Sequence, residues 1–186
     1  AAQSEGLQDW IDQARAFGHE VVLEVPMEGQ NSGASESALQ TDLPAEINRR
    51  RLHQTLTKAQ GYIGLTHYQG DVFLSRTEAV RPVLVEMKAS GLAFFTDGSF
   101  SPPSLAATAQ SLQLPYKSAF GLIAPVASEK VIQARLNGLA KAAEARPGLI
   151  GVGFVYPETI DAVRRWAQTL GNDGLILVPA SQTLSP

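Results

Sequence analysis

The most constraining feature of this chain is an alternation. Short apolar runs are followed by longer segments with apolar residues at helical spacing, about six times over. Strands alternating with helices in this way imply parallel pairing through right-handed crossovers. The expectation is an α/β fold whose parallel sheet curls into an incomplete barrel or stays open. The period is too irregular for a solenoid. At 186 residues the chain is long enough for a sizeable core and is read as one domain, 1–186.

Residues 5–17 place Leu7, Trp10, Ile11, Ala14 and Phe17 on one helical face, with Ser4 as N-cap and Gly18 as the stop. The stretch GHEVVLEVPME, Gly18 to Glu28, follows. Val21, Val22, Leu23 and Val25 suit a buried pleat. Pro26 has no N–H and is expected to end the ladder. Residues 27–43 are rich in Ser, Gly and small polar residues, so 29–43 is expected to be a long flexible loop. Asp42 is placed to cap a helix running to about Ala59, with Ile47, Leu52 and Leu56 inward and Arg49, Arg50 and Arg51 on a solvated face.

Tyr62, Ile63 and Leu65 then read as a short strand, with Thr66 to Asp71 as the loop at its end. Arg76 to Ser90 is a helix with Val80, Val83, Leu84 and Met87 inward, ended by Gly91. Leu92 to Phe95 is a strand leading into Thr96-Asp97-Gly98-Ser99. Helices are expected at 104–112, 128–145 and 157–170. Strands are expected at 114–116, 120–123, 149–154 and 175–178.

Net charge is -3 with acids and bases interspersed, which argues against nucleic acid as a partner. No apolar run is long enough to span a membrane. The opening Ala-Ala-Gln enters a helix within a few residues, as a processed or trimmed chain would. Cysteine is absent, so disulfides and thiolate-bound metals are excluded, a composition that fits an extracytoplasmic protein.

The stretch GHEVVLEVPME resembles the second motif of polysaccharide deacetylases. Its Pro-Met-Glu ending resembles the divergent polysaccharide deacetylase family in particular. GYIGLTHYQGDVF, GLAFFTDGS, IGVGFVYPETI and GLILVPAS extend the resemblance over Gly18 to Ser181. It implies a distorted, incomplete (β/α)7-like barrel acting in carbohydrate metabolism in a bacterial envelope, periplasmic or otherwise extracytoplasmic. It also implies a glycan or acetylated saccharide as partner. The cofactor implied is a zinc-like divalent metal that generates hydroxide to attack an acetyl carbonyl.

This sequence departs from the family pattern in several places. Two metal-binding histidines, spaced HxxxH, fall on Glu24 and Glu28. An Asn-Asn-His-Met-Gly-Ser run reads Thr66-His67-Tyr68-Gln69-Gly70-Asp71, so Tyr68 stands where His is expected. A Gly-His-Pro run reads Gly153-Phe154-Val155. The family's opening strand ends in two aspartates. Here the early aspartates are Asp9 and Asp12, on the first helix, so that strand is expected to be missing.

In a parallel sheet all strand ends share one side, so Glu24, Glu28, His67, Asp71 and Asp97 are expected to converge on one cleft. Glu24 and Glu28 are the metal candidates, Asp97 and Glu28 the catalytic ones, and His67, Asp71 and Ser99 the substrate-binding ones. Each also has a plain reading. Glu24 can pair with a neighbouring hydroxyl or basic group, His67 can make a loop hydrogen bond, and Asp97 can shape an Asp-Gly turn. His19 and His53 read as surface residues. The rival function is a catalytically silent relative that binds a glycan or an envelope partner. A missing first strand would leave an open sheet edge, and with it self-association.

Overall fold

The computed structural model describes residues 6–30 and 35–184. These form two compact units. The first runs to Thr96 and resumes over Phe100–Lys117; the second comprises Asp97–Ser99 and Ser118–Leu184.

The first unit opens with helix α1 (Leu7–Ala16). Ser4, the expected cap, lies outside the described residues. Ile11 is buried, but Trp10 is 68% and Phe17 74% exposed, against the inward placement expected of both. The facing row is set by spacing of four. Leu7 and Ile11 turn inward, and Arg15, next in the row, donates from Nη1 to the Gly61 carbonyl at 2.8 Å. Trp10 and Phe17 fall beside that row.

Strand β1 (Val22–Met27) continues through Pro26, which was expected to end it. The reason is parity. The Val21 carbonyl accepts from Ile63, so odd-numbered residues bond toward the next strand. The Pro26 carbonyl points the other way and accepts the Leu39 N–H at 2.9 Å. The missing N–H of Pro26 is therefore not needed by the β1–β2 ladder. Glu28 N–H donates to the Leu39 carbonyl at 2.8 Å, so Leu39 covers the C-terminal part of the outer edge of β1. Of the expected flexible loop, 31–34 lie outside the described residues. Ala38 and Leu39 are buried and anchored.

Helix α2 (Ala45–Leu56) buries Leu52 as expected, with Leu56 half-buried against the core and Ile47 half-buried, and it also buries Asn48 and Thr55. Asn48 sits inward because both its amide atoms are satisfied. Its Nδ2 donates to the Gln40 carbonyl at 2.8 Å, and its Oδ1 accepts the Gln40 N–H at 3.0 Å. Asp42 makes no side-chain cap; Pro44 occupies that position. Strand β2 (Gly64–Gln69) is longer and later than expected, so Thr66, His67 and Tyr68 lie inside a strand rather than in a loop. A short helix α3 (Asp71–Leu74) leads to α4 (Thr77–Ala89), which buries Val80, Val83, Leu84 and Met87 as its spacing predicts. Strand β3 (Ala93–Thr96), helix α5 (Pro103–Ser111) and strand β4 (Tyr116–Ser118) complete a sheet ordered β1-β2-β3-β4. β1–β2 and β2–β3 are parallel. The core joins Leu23, Val25, Leu65 and Phe94 of the strands to Leu52 and the inner face of α4. Each such side chain contributes about 1.5–3 kcal/mol of burial.

The second unit pairs β5 (Gly121–Ala124) in parallel with β6 (Gly151–Gly153). Helices α6 (Glu129–Ala145) and α7 (Pro157–Thr169) bring Ile132, Leu136, Ala162 and Trp166 into its core. The strand expected at 175–178 does not form. Leu175 N–H turns back to the Leu170 carbonyl at 3.0 Å, and Ile176 is 80% exposed.

Tyr62 precedes β2 and gives the first unit a titratable strut. Its hydroxyl donates to the Leu56 carbonyl at 2.9 Å, and burial raises its phenol pKa above the ordinary 10.0. Below that value the phenol is protonated in both states and its contribution is whole. Above it the unfolded chain ionises first, so stability falls as pH rises. Tyr62→Phe is expected to cost about 1 kcal/mol at pH 7. Urea denaturation should also show a shallower loss above pH 10 than in the wild type.

Candidate functional site

The C-terminal ends of β1 and β2 hold four of the six residues singled out in the sequence. Their faces follow from the parallel register, in which Leu23 pairs with Leu65, Glu24 with Thr66, Val25 with His67 and Pro26 with Tyr68. Partners in register share a face, and successive residues alternate. Leu23, Val25, Leu65 and His67 therefore face the helix-packed core, and Glu24, Pro26, Thr66 and Tyr68 lie on the opposite face. Burial agrees: Leu23, Val25 and His67 are buried, Glu24 is half-buried and Tyr68 is 55% exposed.

His67 and Glu24 are thus on opposite sides of the sheet, and the expected cleft does not bring them together. His67 has a local task. Its Nδ1–H donates to the Gln69 carbonyl; a carbonyl only accepts, which puts the proton on Nδ1. Gln69 has φ 59° and Gly70 φ 99°, so two successive left-handed residues turn the chain from β2 into α3. For a non-glycine such as Gln69 this conformation costs about 1–2 kcal/mol, and His67 braces it.

Asp71 follows that turn. Its Oδ1 accepts the Gln30 N–H at 3.1 Å, and Phe73 N–H donates to the Glu28 carbonyl at 3.1 Å. The loops after β1 and β2 are clasped at these points. Gly29 permits the approach, since a Cβ there would lie 2.8 Å from Asp71 Oδ1 and 3.0 Å from Gln69 Cβ. Asp71 and Glu28 are brought together as parts of this clasp. The Glu28 carboxylate has its own partner. Its Oε2 accepts the Thr41 N–H at 2.6 Å and the Thr41 hydroxyl at 2.7 Å, tying the 38–42 segment to the end of β1.

Asp97 and Ser99 belong to the second unit. Asp97 Oδ1 accepts both the N–H of Ser99, at 2.8 Å, and its hydroxyl, at 2.6 Å, around Gly98 with φ 80°. This is an Asx-type turn.

A zinc-like metal needs three or more converging donors with an open position. Among the described residues no group of three or more His, Asp or Glu side chains has that arrangement. Glu28 Oε2 is engaged by Thr41, and His67 lies on the core side. These residues do not fit the metal that the resemblance implies. Thr41 and Asn48, which organise the loop beside the site, carried no signal in the sequence, being single polar residues in a polar stretch. Tyr68 was visible as a departure from the family pattern, but its exposure follows only from the register.

The family model for divergent polysaccharide deacetylases matches residues 1–184. The crystal structure of the uncharacterized protein ATU2773 from Agrobacterium tumefaciens C58 is similar, with 30% identity and a TM-score of 0.91. The match covers 97% of this chain and 75% of that one. The parallel strands and helices of each unit make an α/β fold of the kind the deacetylase resemblance implies. No protein of curated function matches the sequence.

If Glu28 holds the loop, its removal is a stability event. Thr41→Val should cost about 1–2 kcal/mol and Glu28→Gln a similar amount, with the double variant well short of additive. Urea denaturation of the four proteins checks this. Wild-type stability in Glu28→Gln would show that the carboxylate is not a brace.

Proposed function

The chain belongs to the divergent polysaccharide deacetylase family, and from that premise we propose that it is a deacetylase-like protein that binds an acetylated glycan. The binding face in this reading is the side of β1 and β2 that carries Glu24, Thr66 and Tyr68. The observation that carries it is the exposure of Tyr68, 55%, at the C-terminal end of β2 and in line with a half-buried carboxylate. A pyranose ring presents C–H bonds on its face and hydroxyls around its rim. An exposed aromatic ring stacks on the first, its negative π-face meeting the C–H edge. The Glu24 carboxylate and the Thr66 hydroxyl match the second. At the place where the family pattern has a titratable histidine, this chain offers a ring that stacks.

Metal-assisted deacetylation is the second reading, favoured by family membership. Its catalytic candidates remain Asp97 and Glu28, with Glu24 and Glu28 as metal candidates. The geometry favours binding, because Glu28 is engaged by Thr41 and His67 by Gln69. In this reading both compact units act as one family domain, since the family model runs across them. A periplasmic or otherwise extracytoplasmic location goes with it. Among the described residues no helix is long and apolar enough to cross a membrane. Self-association through the remaining outer edge of β1, Val22 to Val25, belongs to the same reading.

Calorimetric titration with oligomers of N-acetylglucosamine, run beside an acetate-release assay with added zinc, separates the two. Wild-type protein should bind oligomer and release no acetate, and Tyr68→Ala should weaken binding by about tenfold or more, the worth of one buried ring. Zinc-dependent acetate release that disappears in Glu24→Ala would establish the second reading instead.

A further inference from the structure

The second unit holds an apolar segment without a sheet. Leu175 packs against the core of that unit, but Ile176 is 80%, Leu177 60% and Val178 38% exposed. No backbone hydrogen bond joins Ile176, Leu177 or Val178 to another described residue. Unpaired N–H and C=O groups beside exposed apolar side chains are what a strand without a neighbour presents.

The same unit has an edge without a strand. Among the described residues β5 and β6 make a sheet of two, one fewer than independent stability ordinarily needs. The Ile150 carbonyl accepts the Phe120 N–H at 2.7 Å, so the even-numbered residues of β6 bond toward β5. Gly151 and Gly153 direct their N–H and C=O groups to the opposite edge, where no described residue pairs with them.

Connectivity matches the segment to that edge. A Cβ on Gly151 would lie 2.9 Å from Leu139 Cδ2 of α6, and one on Gly153 would lie 3.5 Å from Thr159 Cγ2 of α7. Gly151 and Gly153 share a face of β6, so both helices cover the same face. Parallel crossovers are right-handed. With both helices on one face the chain steps in one direction twice. It goes from β5 through α6 to β6, and from β6 through α7 to the edge that Gly151 and Gly153 leave open. Residues 175–178 are what α7 and the turn at 170–174 deliver there.

We infer that residues 175–178 are a strap poised to close on β6 as the third parallel strand of this sheet, and that the structure holds it open. Closure pairs unmet backbone groups on both sides. It also brings Val178 to the end of the sheet where Phe154 and Val155, 55% and 83% exposed, emerge. The strap thereby sets the shape of the end at which parallel α/β sheets take ligands. The occupant of the edge is the chain's own segment, because the crossover supplies it at an effective concentration that a separate strand lacks. The inference stands apart from the glycan-binding reading.

The chain has no cysteine, so an engineered pair reports closure directly. Leu175 faces the helices, so Leu177 shares that side, and Ile176 and Val178 share the other with Val152. In the full chain, Val152→Cys is combined in turn with Ile176→Cys, Leu177→Cys and Val178→Cys. Mild oxidation should give an intramolecular disulfide with position 176 or 178 and none with 177. Hydrogen exchange of the wild type, read by mass spectrometry, decides the matter where a variant fails to fold. The amides of 176–178 should exchange about tenfold or more slowly than in an unstructured peptide of the same sequence. Exchange at the peptide's rate overturns the inference, whichever disulfides form. Absence of both disulfides in folded variants also overturns it, as does oxidation at 177 as fast as at 176 or 178. A disulfide that joins two copies overturns it in favour of strand exchange between copies.

Discussion

The parallel register between β1 and β2 is the constraint on which the rest of the first unit depends. Parallel strands evenly bonded at one spacing leave no freedom to rotate a single residue. Pairing Val25 with His67 commits Glu24, Thr66 and Tyr68 to the other side. A slip of one residue would drive Glu24 into a core built from Leu23, Val25, Leu65 and α4. The cost of an unpaired buried carboxylate is large enough to forbid it. The hydrophobic demand of the core thus decides which polar groups face outward at the end of the sheet. It also places a histidine on the inner side, where its ring bonds to the turn that follows it.

That turn and its neighbour form a brace. Left-handed Gln69 and Gly70, the close approach at Gly29, and the Asp71 and Glu28 bonds hold the two strand ends together. Thr41 extends the brace to the 38–42 segment. Several residue types associated with metal-assisted hydrolysis are present, but each carboxylate or imidazole in the brace supports backbone. The opposite face at these strand ends carries the exposed Tyr68 ring, the Thr66 hydroxyl and the half-buried Glu24 carboxylate.

Regular elements were legible where local spacing and burial agreed. Helix α4 has four inward residues at strict helical intervals, and all four are buried. Helix α6 and the parallel order of β1, β2 and β3 were readable for the same reason. The failures came where tertiary partners decide. Pro26 continues its strand because its bonding parity faces away from β2. Asn48 is buried because the Gln40 backbone satisfies it, and no pattern announces that. Residues 175–178 have the composition of a strand, but Leu175 bonds back to Leu170. Of the site, the strand ends and the polar residues near them were legible. The faces were not, since β2 was read as ending before His67, and a loop has no parity.

The partition of the two faces is open to a direct test by histidine carbethoxylation, followed residue by residue with mass spectrometry. His19 is exposed, while His67 is 6% exposed on the core face. The account predicts that native protein is modified at His19 and protected at His67, and that His67 reacts once urea unfolds the chain. Modification of native His67 as fast as His19 would place its ring in an open cleft. The two-faced reading of β1 and β2 would then be wrong.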